Sequence, residues 1–336
     1  MLEALKSSGT MVDYDTMDSI VVKNLGPFVG PSADCTSNQA IAYSELQKPE
    51  HESLIQESIT EAEVLAKQLS DVSTTELAVE IAMVKLQVQI SQQIAGFVHV
   101  QTNPYHSYDT GKMVEDATRI VGLFKSYGVK SNRLCIKIPS TWEGLQACRI
   151  LQAAGITTLA TTLFAIEQAA LAGEVGCHYV APYVNELKVH FDKDFVDQNK
   201  AIELCLEIQR YYSRHKISTL VLPASLTSTS EIMALAGVNH ITIAPLLLEE
   251  IARTPVSTDI STSILDQRPG PEDQALPSFK DDELEFRQAF AERNNGEGER
   301  KLNQAIEIFC EMQTALEQLM IGRDERAVAM KERRCR

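Results

Sequence analysis

Short apolar runs alternate with longer amphipathic stretches along the chain. Seven runs have the length and composition of buried strands, at 10–14, 96–101, 133–138, 157–161, 178–183, 219–223 and 240–243, and a weaker one lies at 29–35. Helical periodicities fill the intervals. Over 54–69, Leu54, Ile55, Ile59, Ala62, Ala66 and Leu69 fall on one helix face. Ser73-Thr-Thr-Glu76 reads as a capping box opening the next helix through Leu77, Ile81, Val84 and Val88, and Ser140-Thr-Trp-Glu143 repeats it directly after the strand at 133–138. Strand and helix in alternation predict βα units and a parallel sheet. Eight strands predict an α/β fold of the (β/α)8 TIM-barrel type. An open doubly wound sheet is the competitor, but no GxGxxG follows any strand.

The stretch 257–298, with Pro269-Gly-Pro-Glu272 and Asn294-Asn-Gly, reads as a long loop holding one short helix. Leu302, Ile306, Phe309, Leu316 and Leu319 then mark a C-terminal amphipathic helix, expected to pack on the barrel or on a second copy in a homodimer. The expected organisation is one domain over 1–322, terminal helix included, and a charged, solvated tail over 323–336.

Charge narrows the function classes. The 336 residues include 46 acidic and 31 basic side chains, a net −15, which repels a phosphate backbone and argues against nucleic acid as a partner. No run of 18 apolar residues suggests a membrane partner, and the N-terminus lacks a basic start followed by an apolar segment. The seven cysteines form no CxxC pair and the seven histidines no HExxH, so neither a disulfide framework nor a metal is expected. A reduced, cytoplasmic setting is the expectation.

In a barrel, reactive side chains stand at the C-terminal ends of the strands. Those ends offer Asp15, Asn38, Gln101 with His99 behind it, Lys137 with Cys135 behind it, Thr161, Tyr183, Glu186 and Ser225. Lys137 is the outlier, flanked by Ile136 and Ile138. Burial there lowers an amine's pKa, and the neutral amine attacks carbonyls. The plainer readings are an ion pair with Asp15 or another carboxylate, or a lysine snorkelling from an edge strand.

The run Lys137-Ile-Pro-Ser-Thr-Trp-Glu-Gly, together with Asp15, Asp34-Cys-Thr-Ser-Asn38, Thr161, Pro223-Ala-Ser225 and Thr242-Ile-Ala-Pro245, resembles the transaldolase family over nearly the whole chain. The resemblance implies a barrel whose fourth strand bears a Schiff-base lysine, Lys137, with no cofactor. It further implies Asp15 as acid–base carboxylate, Asn38 as a ligand for donor hydroxyls, Thr161 as holder of a catalytic water, and Ser225 beside a substrate phosphate. The departures are specific. Gln101 stands for the family's glutamate, Leu159 for an asparagine and Tyr183 for a phenylalanine, a set similar to the fructose-6-phosphate aldolase branch. Gln101 orients water but cannot ionise, whereas Tyr183 can move a proton. As a plain core residue, Tyr183 would only find a backbone partner.

Where both branches hold the phosphate with arginine, this chain has Glu186, and a second basic position is Thr227. At about 5 Å and an effective dielectric near 20, one like charge costs roughly 3 kcal/mol, so the phosphate site is expected to be lost unless Lys188 replaces it. His99 reads either as a proton carrier or as a hydrogen-bonded core histidine. The expected activity is class I aldolase chemistry on a small-molecule carbonyl substrate, on a non-phosphorylated partner. Pentose-phosphate transaldolase activity and a catalytically silent scaffold are the alternatives.

Overall fold

The computed structural model describes residues 1–69, 71–255 and 277–334, with side chains to residue 324. Eight parallel strands form one sheet in the order β7-β6-β5-β4-β3-β2-β1-β8. They are β1 (Met11–Asp15), β2 (Cys35–Thr36), β3 (Val98–Gln101), β4 (Leu134–Pro139), β5 (Thr158–Leu163), β6 (Tyr179–Pro182), β7 (Leu220–Val221) and β8 (His240–Ile243). β8 pairs with β1 over four residues, from Met11 opposite His240 to Tyr14 opposite Ile243. The remaining seam is narrow: Thr242 donates its backbone N–H to the Pro223 carbonyl at 3.2 Å, and the Asn239 side chain accepts from the Val221 N–H at 3.0 Å. The expected (β/α)8 barrel is therefore present and nearly closed.

The weak segment at 29–35 yields a strand only at its end. Val29 closes the helix Ser19–Val29, and β2 begins at Cys35. Ser73 caps the helix Thr74–Ser91, accepting from the Glu76 N–H at 3.1 Å. The second expected box is shifted by one residue: Thr141, not Ser140, caps the helix Trp142–Ala153 by accepting from the Gly144 N–H at 2.9 Å. Ser140 is taken by β5, donating both its N–H and its hydroxyl to the Thr161 carbonyl. A Cβ on Gly144 would collide with the Pro139 carbonyl, so glycine alone lets this helix start against the end of β4.

Inside the barrel Cys135, Leu159, Tyr179, Ala181 and Leu222 form an apolar layer. The terminal helix, Glu297–Arg334, buries Leu302, Ile306, Phe309, Leu316 and Met320 and packs on the helices Gln39–Leu46 and Thr74–Ser91 and on the 3₁₀ turn Leu187–His190. The backbone of that helix continues through 323–334. Of the stretch 257–298, residues 257–276 lie outside the described residues, and the rest holds the expected short helix, Glu283–Glu292. Among the described residues no helix is long and apolar enough to cross a membrane.

Candidate active site

A cavity of about 330 Å³ opens at the C-terminal ends of the strands, and Lys137, Asp15, Asn38, Tyr183 and Ser225 all line it. Five residues spread over the sequence therefore converge because each lies in the C-terminal half of a different strand or in the few residues after it. Lys137 is 3% exposed. Burial pushes its pKa down, and the Asp15 carboxylate pulls it only partly back. Among the described residues no carboxylate reaches ion-pair distance of its amine, so the ion-pair reading of Lys137 does not hold. β4 lies between β3 and β5, which also excludes an edge-strand lysine.

Asp15 is held by the Thr36 hydroxyl, which donates to Oδ1 at 2.5 Å and lies 2.9 Å from the Thr242 hydroxyl. The carboxylate is thereby held from β2, with Thr242 of β8 bracing the threonine that holds it. Asn38 caps the helix Gln39–Leu46 through its side-chain oxygen, which accepts from the Ile41 N–H at 3.0 Å; none of the described residues pairs its amide nitrogen.

Thr161 does not line the cavity but reaches it through Tyr183, donating to the phenolic oxygen at 3.3 Å. Burial pushes the Tyr183 phenol above its ordinary pKa, while the Thr161 hydrogen bond opposes this. The phenol of the free protein is therefore protonated at neutral pH. Thr161 is positioned by local strain. Its neighbour Thr162 sits at φ 54°, where the β5–β6 register shifts, and the Thr162 hydroxyl donates to the Thr161 carbonyl at 2.6 Å. With the two bonds from Ser140, that carbonyl accepts three hydrogen bonds.

Gln101 pairs in register with Lys137 across β3 and β4, and both polar atoms of its buried amide lack a protein partner. Leaving such a group unpaired costs roughly 1–3 kcal/mol, and Gln101, like Thr161, is not itself among the residues lining the cavity. Leu159 is the register partner of Lys137 on β5 but packs into the apolar interior layer, away from the cavity lining. His99 is wholly buried one layer down, its Nε2 3.1 Å from Asp34. That pairing favours the core reading over the proton carrier. Below the cavity, ligand-type atoms of Asp13, Asp34 and His240 come within 4.8 Å of one another, a grouping that no sequence spacing signals. Each already has a partner: His240 binds Asp13 at 2.8 Å, and Asp34 binds His99 and the Phe97 N–H.

Glu186 is the main departure from expectation. Its carboxylate does not line the cavity. Arg300 of the terminal helix grips it at 2.6 and 3.1 Å, and Gln304 donates to it at 2.9 Å. The negative charge is neutralised there rather than offered to a substrate. Nor does Lys188 replace an arginine, because it pairs with Asp192 at 3.4 Å and lies 4.8 Å over the Phe195 ring. Thr227 is likewise turned away, donating its hydroxyl to Glu231 at 2.9 Å.

Sequence reasoning missed His190. It ends the 3₁₀ turn Leu187–His190, lines the cavity, and places Nε2 3.0 Å from the Ser225 hydroxyl. A loop residue eight positions beyond the end of β6 carries no periodic signal, and only the fold of the turn returns it to the site.

The Transaldolase/Fructose-6-phosphate aldolase family model matches residues 13–320. A transaldolase of Alteromonas mediterranea is 31% identical over 318 residues, covering 92% of this chain and 94% of that protein. A transaldolase of Shewanella baltica is 34% identical over 264 residues, covering 76% and 79%, and one of Shewanella amazonensis is 32% identical over 281 residues, covering 80% and 85%. A family match spanning nearly the whole barrel, with relatives above 30% identity over most of their length, establishes that the chain belongs to the transaldolase/fructose-6-phosphate aldolase family.

Proposed function

We propose that the protein is a class I aldolase that makes or breaks a carbon–carbon bond through a Schiff base on Lys137, with a site of the fructose-6-phosphate aldolase type and without a phosphate clamp. The observation carrying this reading is the buried Lys137 amine, free of ion pairs, in a cavity shared with Asp15 and Tyr183. Lys137 Nζ adds to the carbonyl carbon of a small hydroxyketone. Asp15, close enough to act on the amine electrostatically, moves protons during formation and dehydration of the carbinolamine. The resulting protonated imine withdraws electrons from the adjacent carbon, which loses a proton and becomes a nucleophilic enamine. That carbon attacks the acceptor aldehyde, and the protonated Tyr183 phenol delivers a proton to the new alkoxide. Water held by Gln101 and Thr161 relays the proton lost from that carbon to the Tyr183 phenolate, restoring the phenol, and water later hydrolyses the imine.

The similarity to transaldolases supports a second reading, transfer of a dihydroxyacetone unit between sugar phosphates. It is the weaker one, because among the described residues lining the cavity Lys137 is the one cation. The deciding assay is condensation of dihydroxyacetone with neutral and with phosphorylated aldehydes. Turnover of neutral aldehydes that disappears in Lys137→Met supports the proposal. Preferential turnover of erythrose 4-phosphate would favour sugar-phosphate transfer.

A further inference from the structure

We propose that His190 and Ser225 form a neutral hydrogen-bonding pair that receives an uncharged hydroxyl on an otherwise apolar substrate, making the acceptors neutral aldehydes with an aliphatic or aromatic body. This rests on the aldolase reading of Lys137 and assigns the part of the cavity that the reading leaves open.

The pair is built rather than incidental. Ser225 sits at φ 59°, a left-handed conformation that residues with a Cβ rarely adopt. Asn185 holds it there, donating its backbone N–H and its side-chain amide to the Ser225 carbonyl at 3.2 and 2.8 Å. Asn185 is itself anchored on Glu231 at 3.1 Å. The Ser225 hydroxyl is thus fixed on the cavity wall, 3.0 Å from His190 Nε2. Desolvation by the surrounding wall lowers the His190 pKa, consistent with a neutral ring.

A neutral imidazole and a hydroxyl can exchange donor and acceptor roles, which matches a ligand hydroxyl that both gives and takes a hydrogen bond. The same pair is a poor match for a phosphate dianion, to which it offers at most two donors and no charge, with Asp15 in the same cavity. Neighbouring cations are committed elsewhere: Lys200 to Glu231 at 2.6 Å, Lys301 to Asp197 at 3.1 Å and Arg300 to Glu186. The same lining includes the apolar side chains of Ile41, Leu187 and Phe191, with Ser44, Asn38 and Tyr183 as its other uncharged polar groups.

The test uses three carbonyl-free probes of one shape, 2-phenylethanol, 2-phenylethyl phosphate and ethylbenzene, with affinities read by NMR titration of the full-length protein following the His190 imidazole signals. The alcohol is expected to bind at least tenfold more tightly than its phosphate ester. In His190→Ala and in Ser225→Ala, followed through backbone amide signals of the cavity wall, the alcohol should weaken at least fivefold and ethylbenzene less than twofold. Equal or tighter binding of the phosphate ester, no binding of the alcohol, or equal loss of alcohol and ethylbenzene in the variants would overturn the proposal. Because no probe can form an imine, these results stand apart from any test of Lys137.

Discussion

Arg300 holds Glu186 by two parallel hydrogen bonds of 2.6 and 3.1 Å, joining the loop after β6 to the terminal helix. Planar, charge-assisted pairs of this kind fix geometry as well as adding energy. The acidic side chain that the sequence sets near the barrel mouth is therefore a docking point for the helix. Its substitution should act first on stability. Glu186→Gln is expected to cost about 1–2 kcal/mol, less than a fully buried pair because Arg300 is half exposed. Urea denaturation of Glu186→Gln, Arg300→Ala and the double variant checks this, since a coupled pair gives a double-variant loss smaller than the sum of the singles.

Lys137 should destabilise the fold that it equips for chemistry. Burial holds its pKa below the ordinary 10.5, so the unfolded chain binds the extra proton in the window between the two values. The penalty is fully present below that window and fades as pH rises through it toward 10.5. Lys137→Met should therefore unfold at a higher temperature than the wild type at pH 7, with a gap that narrows as pH climbs. Calorimetric scans from pH 7 to 10 would read this, and a gap independent of pH would contradict it.

The Tyr183 hydroxyl is assigned to the bond-making step and not to imine formation. Tyr183→Phe is expected to lower aldol turnover about 100-fold, in the range of general acid–base catalysis, while keeping reductive trapping of the lysine. Thr161→Val should give a smaller loss, because it removes one 3.3 Å partner and leaves the phenol in place. Comparing turnover with adduct yield in the two variants separates the roles.

Away from the site, His106 pairs with Asp116 at 2.7 Å, and that partner raises its pKa above 6.5. A raised folded-state pKa stabilises fully below 6.5 and loses its effect as pH rises through the folded value. His106→Gln should therefore cost more at pH 5.5 than at pH 9, a difference checked by denaturant titration at the two pH values.

Residues within the strands were legible because their signal is local. An apolar run with one lysine at its centre marks β4 and Lys137 together, and the strand ends bring Asp15, Tyr183 and Ser225 to one place. Side chains whose direction is decided by a distant partner were not. Glu186 turns to Arg300, 114 positions along the chain, and no local pattern records that choice. His190 depends on how a short turn folds back over the cavity. Ser140 and Thr141 exchanged roles because the Thr161 carbonyl, 21 positions away, competes for the serine. β2 was nearly invisible because two residues carry no periodicity.

The central claim is that Lys137 forms the Schiff base. Its most direct test is mass spectrometry of the wild-type protein reduced with borohydride in the presence of dihydroxyacetone, followed by peptide mapping. The account predicts a reduced adduct confined to the peptide containing Lys137 and absent from Lys137→Met. No adduct with any small hydroxyketone, or an adduct on another lysine that persists in Lys137→Met, would contradict it.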